Sequence, residues 1–158
     1  MYIEILSQMI YAATTASRKI CEIYNGEFNV TEKDDDSPLT TADIESNRII
    51  TTHLRSLFQE YAILTEEETD DKARLSNENG VFIIDPLDGT MEFVKRNGEF
   101  CVSIALAVNN KLVCGVVAVP MMETIYYAVA GRGAYKCSFD SLSSGFSFGI
   151  GNRLSVSS

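Results

Sequence analysis

Two amphipathic helices followed by a run of short strands predict an α+β fold, with the helices packed on a largely antiparallel sheet. Ile3, Leu6, Ile10, Ala13, Ile20 and Ile23 recur at the spacing of one helical face. Ile49, Ile50, Leu54, Leu57 and Phe58 supply a second such face. From Val81 onward, β-branched and aromatic runs alternate with turn residues, and successive runs lie close enough in sequence to pair antiparallel.

Asn25-Gly26 is a stop signal for the first helix. Residues 27–41 are polar and acidic, include Asp34-Asp35-Asp36 and Pro38, and are expected to form a mobile loop. Thr40 and Asp43 have the spacing of a capping box that opens the second helix. Ala62-Ile63-Leu64 reads as a short buried strand closed by Glu66-Glu67-Glu68, and a charged loop leads to Gly80. Val81–Ile84 is a continuous apolar run of strand length, and Asp85-Pro86 is expected to end it. Cys101–Val108 and Leu112–Val119 flank Asn109-Asn110, a hairpin signal. Pro120 ends that strand, another begins at Thr124, and Gly131-Arg132-Gly133 turns the chain again. Residues 1–136 thus form one α+β unit. Beyond it, eight of the last 22 residues are serine, so residues 137–158 read as a Ser/Gly-rich tail or the start of a second domain.

The net charge of −9 argues against recognition of nucleic-acid phosphates, which needs basic clusters. A small phosphate ester is still admissible if metal ions invert the local sign. Cys21, Cys101, Cys114 and Cys137 form no C-x-x-C pair, which gives no support to a zinc or dithiol site. Reduced thiols and a cytoplasmic location are expected. The apolar stretch Met9–Ala16 lacks a basic flank and follows Glu4, unlike a signal peptide. No apolar run reaches the ~18 residues of a membrane span.

The segment Asp85-Pro86-Leu87-Asp88-Gly89-Thr90 carries the chemistry. Pro86 fixes φ, and the turn can return the Asp88 carboxylate to the side of Asp85. Two carboxylates held together repel unless a cation lies between them, and magnesium takes hard oxygen ligands. Gly89 permits close backbone approach, and the Gly89 and Thr90 amides can face an anion if a helix begins there. A plain Asx turn accounts for the same six residues equally well when they are taken alone. Glu66-Glu67, also just past a short strand, could bring a third carboxylate, although acidic runs usually form a solvated loop. Asp43 also has a simpler reading, as a first-turn residue favoured by the helix dipole.

Asp43, Leu64-Thr65-Glu66-Glu67 and Asp85–Thr90 occur in the order and rough spacing of the inositol monophosphatase superfamily, which this chain resembles from about residue 3 to Lys136. That family's signature is D-P-[L/I]-D-G-T preceded by an E-E segment. Glu92–Phe100 is similar to the bacterial-type 3′(2′),5′-bisphosphate nucleotidase branch. The resemblance implies a sugar-phosphatase fold and hydrolysis of 3′-phosphoadenosine 5′-phosphate to AMP and phosphate by water, with two or three Mg2+ in a complete site. Inositol monophosphatase activity, or a domain without activity, is the alternative. Glu66, Asp85 and the Leu87 carbonyl would hold one magnesium, and Asp85 and Asp88 would contribute to a second. Thr90, paired with Asp43, would orient and activate the attacking water. Glu66, Leu87, Asp88, Gly89 and Thr90 would line the substrate phosphate, with Glu67 behind them.

Two departures stand out. Met91 occupies a position where the branch commonly has lysine. The family pattern also continues into a second half with a W-D-x-A motif, and this chain contains no tryptophan. An uncovered face or edge of the sheet is then expected, and it would favour association into homo-oligomers. His53 reads as a helix-surface residue, Tyr126 and Tyr127 as packing, and Lys95 and Arg96 as loop cations able to attract a second phosphate.

Overall fold

The computed structural model describes residues 1–33, 38–68, 72 and 77–155. The Asp34-Asp35-Asp36 run, most of the charged loop before Gly80 and the last three residues lie outside the described residues. Helices α1 (Tyr2–Tyr24) and α2 (Thr41–Leu57) pack on each other and on one face of a seven-stranded sheet. The strands are β3 (Ala62–Thr65), β4 (Val81–Asp88), β5 (Cys101–Val108), β6 (Lys111–Val119), β7 (Thr124–Val129), β8 (Gly133–Ser138) and β9 (Asn152–Arg153), neighbours in that order. A separate antiparallel pair, β1 (Val30–Glu32) and β2 (Pro38–Thr40), leads into α2. A five-residue helix, α3 (Thr90–Val94), follows β4.

The core is the layer between helices and sheet. Leu6, Met9, Ile10, Ala13 and Ile20 of α1 and Ile50 and Leu54 of α2 meet Phe82, Ile84, Val102, Ile104, Val116, Ile125 and Tyr127. Alternation sets this arrangement: every second residue of β4 to β7 points at the helices, and the intervening ones face away. At roughly 1.5–3 kcal/mol per fully buried large apolar side chain, this single layer dominates the stability of the fold.

Three expectations need correction. The segment at 27–41 is not all loop, since β1 pairs with β2; all three β1 residues are exposed, so no apolar alternation announces the strand. The sheet is largely antiparallel, as expected; its first pair, β3 with β4, is parallel and all later pairs are antiparallel. Strand β4 does not end at Asp85 but runs to Asp88. Its ladder to β5 breaks between Asp85 and Asp88, where Pro86 has no N–H to donate. Finally, the chain past Cys137 is neither loose nor separate: β8 runs to Ser138, Phe139 is buried, and Phe146, Phe148 and Ile150 pack against the core. The Tyr127 hydroxyl donates to the Ile150 carbonyl at 2.6 Å, and β9 pairs with β8.

The hairpin at Asn109-Asn110 forms as the sequence predicts, with φ of 51° and 59° at its two corner residues. Among the described residues no element covers the sheet face away from α1 and α2, and Ile83 and Val117 there are 38% and 37% exposed.

Candidate active site at the Asp85–Thr90 turn

Thr40 caps α2: its hydroxyl accepts from the Ala42 amide at 3.1 Å, and its own amide donates to Asp43 Oδ2 at 2.7 Å. Asp43 is 1% exposed. Its second oxygen, Oδ1, accepts from the Thr90 hydroxyl at 2.9 Å. A local helix-capping motif therefore also tethers the residue that ends the Asp85–Thr90 turn.

The turn is fixed from several sides. Ser46 Oγ donates to the Pro86 carbonyl at 2.6 Å, joining the turn to α2. The Leu87 amide donates to Asp85 Oδ1 at 3.2 Å, and Thr90 Oγ1 also lies 3.2 Å from the Leu87 carbonyl. Gly89 has φ 95°, and a Cβ there would stand 2.8 Å from the Glu99 carbonyl oxygen. Only glycine meets both demands, the left-handed backbone and the close approach.

The third segment arrives on β3. Hydrogen bonding of the parallel strands continues to the Glu66 amide, which donates to Ile84 O at 3.3 Å. Thr65 donates to Asn47 Oδ1 at 2.7 Å, and Glu68 pairs with Arg55. Lys33, just past β1, places its ammonium 2.7 Å from Glu66 and 2.8 Å from Glu67. The Lys33 and Glu67 side chains are 18% and 8% exposed, so this is a largely enclosed ion pair.

The electrostatics are uneven. Burial, then the neighbouring charges of Glu66 and Asp88, push Asp85 up to about 6 despite the opposing Leu87 hydrogen bond. Burial also raises Glu67, and the Lys33 contact tempers the rise. Burial works to lower Lys33, but hydrogen bonds to Glu66 and Glu67 outweigh it and hold the ammonium well above its usual range. Cys101 lies with its sulfur 3.8 Å from Asp88 Oδ2, and burial raises its thiol.

Asp85 thus feels the charges of Glu66 and Asp88, but among the described residues no three His, Cys, Asp or Glu side chains are grouped so as to hold a metal ion. The donor set fits magnesium in kind, since it consists of hard carboxylate and carbonyl oxygens carrying uncompensated repulsion at Asp85.

Sequence reasoning missed Lys33, Ser46 and Cys101. Lys33 sits among acidic residues and carries no motif; only the need to balance Glu66-Glu67 could have flagged it. Arg96, expected as a loop cation, is committed elsewhere. It donates to the carbonyls of Tyr24 and Gly26 at the end of α1 and lies over the Tyr24 and Phe28 rings. His53 bonds Gln8 at 2.9 Å and packs on Tyr11 between the two helices, away from the site.

Comparison with known proteins agrees with this fold. The bisphosphate nucleotidase CysQ of Salmonella typhimurium is 40% identical over 129 residues, 80% of this chain and 52% of its own. The structure of CysQ from Bacteroides thetaiotaomicron matches with TM-score 0.73 and 43% identity over 85% of this chain and 49% of its own. The extragenic suppressor protein suhB from Bartonella henselae matches with TM-score 0.78 and 30% identity over 84% and 52%. No helix among the described residues is long and apolar enough to cross a membrane. The chain spans about half the length of the relatives it matches. The pattern of the inositol monophosphatase family covers residues 2–156, and the chain belongs to that family.

Proposed function

We propose that this site serves a magnesium-dependent phosphomonoesterase whose substrate is 3′-phosphoadenosine 5′-phosphate, cleaved to AMP and phosphate. The observation that carries the reading is Asp85: a carboxylate raised to about 6 by burial and by Glu66 and Asp88, beside a threonine hydroxyl bonded to a buried aspartate. Strongly perturbed carboxylates beside a positioned hydroxyl are characteristic of functional sites. The nucleotidase name of the 40% identical relative, together with Glu92–Phe100, supports the bisphosphorylated nucleotide over an inositol ester.

Glu66, Asp85, the Leu87 carbonyl and Asp88 are the groups that would hold magnesium. Bound magnesium supplies positive charge for phosphoryl transfer and makes water a better nucleophile near neutral pH. The remaining work falls to the chain. Asp43 Oδ1 accepts the Thr90 proton, which leaves the Thr90 oxygen free to accept from a water and orient it. The Gly89 and Thr90 amides, at the turn where Gly89 takes φ 95°, are the backbone donors that would hold the phosphate. Glu66 must exchange its Lys33 partner for the metal, while Lys33 can stay on Glu67 and keep that carboxylate neutralised.

A second reading, a folded domain without turnover of its own, is favoured by the lack of a closed three-ligand cage among the described residues. Phosphate release decides between the two. The chain is assayed with 3′-phosphoadenosine 5′-phosphate and inositol 1-phosphate, alone and extended by the unmatched half of a CysQ relative. A higher kcat/KM for the nucleotide supports the proposal. A preference for the inositol ester moves the chain to the other substrate class, and turnover in the extended form alone assigns catalysis to the combined halves.

A further inference from the structure

Helix α3 is too short to hold its own direction. It runs only from Thr90 to Val94, and a single isolated turn of helix is unstable in water. Its first residue is Thr90, whose hydroxyl is tied to Asp43 of α2 at 2.9 Å. Its far end is closed by two bonds, from the Arg96 amide to the Phe93 carbonyl at 3.0 Å and from the Asn97 amide to the Glu92 carbonyl at 3.3 Å. That pair is a Schellman ending, and its left-handed position falls to Arg96, with φ 56°. Glycine is the usual occupant there, because a side chain strains the left-handed backbone. An arginine in its place calls for a compensating gain.

The gain lies at the end of α1. The Arg96 guanidinium donates to the Tyr24 carbonyl and, at 2.9 Å, to the Gly26 carbonyl. Tyr24 is the last residue of α1, where carbonyls lack helical partners and the dipole favours a cation. The guanidinium carbon also stands 5.6 Å from the Tyr24 ring centroid and 5.0 Å from that of Phe28. Tyr24, Phe93 and Phe100 form a triangle of rings with centroids 5.1, 5.1 and 5.2 Å apart. Phe100 in turn backs the start of α3: its Cα lies 3.2 Å from where a Cβ on Gly89 would stand.

We propose that Arg96 is a positioning residue for the Thr90 hydroxyl. It pins the end of α3 to α1 while Asp43 holds the start to α2, so the helix cannot swing and carry Thr90 off its aspartate. Arginine suits this task, because two donors in one rigid plane fix direction as well as distance. The inference deepens the proposed function and rests on it in one respect, since Thr90 is the hydroxyl that would orient the water.

Native-state amide exchange of the full chain, followed by NMR, tests the pin. Arg96→Gly keeps the left-handed ending and removes only the side chain. Exchange at the Phe93 and Lys95 amides, which close α3, should speed up by about tenfold or more, while Ile10 and Ala13 inside α1 stay within about twofold. Arg96→Lys should recover part of the protection, because an ammonium can serve one carbonyl but not the fork. It also carries the comparison if Arg96→Gly fails to fold by circular dichroism. Unchanged exchange in α3, or equal acceleration throughout α1, overturns the proposal. Phosphate release from 3′-phosphoadenosine 5′-phosphate with magnesium adds a second readout. Arg96→Gly should lower kcat by about fivefold or more with KM within about twofold, as expected when a reacting group is misplaced rather than binding lost. An unchanged kcat overturns the proposal as well. A wild-type chain that releases no phosphate counts against the proposed function alone, and the exchange comparison then decides the pin by itself.

Discussion

The two sides of the candidate site are built on opposite electrical principles. Around Asp43 every carboxylate oxygen has a donor: Oδ2 takes the Thr40 amide and hydroxyl, and Oδ1 takes Thr90. Around Asp85 the neighbours are Glu66, Asp88 and Glu67, and among the described residues the stabilising contact is the Leu87 amide. The first arrangement contributes to folding. The second opposes it and becomes favourable only when a cation arrives. The difference shows which part of a site can be preformed at no expense to the fold and which part draws on the stability supplied by the α1–α2–sheet core.

The sharpest way to break the contrast is Asp43→Ala. It removes the cap and strands the Thr40 amide and Thr90 hydroxyl, so urea unfolding should show a loss of about 3 kcal/mol. Lys33→Met comes next. It frees Glu66 and Glu67 to repel and leaves Glu67 enclosed without a cation, for an expected loss of about 2 kcal/mol, while Lys33→Arg recovers part of it. Metal titration by calorimetry should show the opposite trend for Lys33→Met, tighter binding, because Glu66 no longer has an internal competitor.

Asp85→Asn should stabilise the apo protein. The folded-state pKa lies above the ordinary 3.8, so the folded chain holds that proton more tightly than the unfolded one, and stability falls as pH rises from about 4 to about 6. The full shift would correspond to about 3 kcal/mol; Asp85 is only about half buried, and solvent screening reduces this to about 1 kcal/mol. At pH 7 the asparagine variant should melt about 2–4 °C higher, lose the pH 4–6 slope and lose divalent-cation binding. A variant that melts lower would show that Asp85 is compensated in the native state. The smallest effect is expected from Thr90→Ser, which keeps the bond to Asp43 and should change stability by less than about 0.5 kcal/mol; Thr90→Val, which cannot make that bond, should lose about 1 kcal/mol in the same measurement.

The same contrast separates what was legible in the sequence from what was not. Thr40–Asp43 is a contiguous signal whose meaning is fixed by helix geometry, and Asp85–Thr90 is a contiguous turn. Lys33 is different, because its value comes from residues 33 and 34 positions away, across a gap no local pattern spans. The β1–β2 pair was hidden because β1 buries nothing. The stretch beyond Cys137 misled for a compositional reason. Serine and glycine dominate its count, but its few large residues, Phe139, Phe146, Phe148 and Ile150, decide where it lies. Strand β4 outruns its sequence signal because Pro86 ends a regular ladder, whereas a break in the ladder lets the chain continue.

The shared use of Asp43 has a kinetic consequence. The first turn of α2 and the anchoring of Thr90 open and close as one event, since the same carboxylate serves both. Fraying at that helix end is therefore not a harmless local fluctuation. Each opening releases the Thr90 hydroxyl, and amide exchange at Ala42 and Asp43 becomes a clock for how long the turn stays assembled. Adaptation to a colder or hotter habitat could not loosen this helix end while leaving the hydroxyl in place.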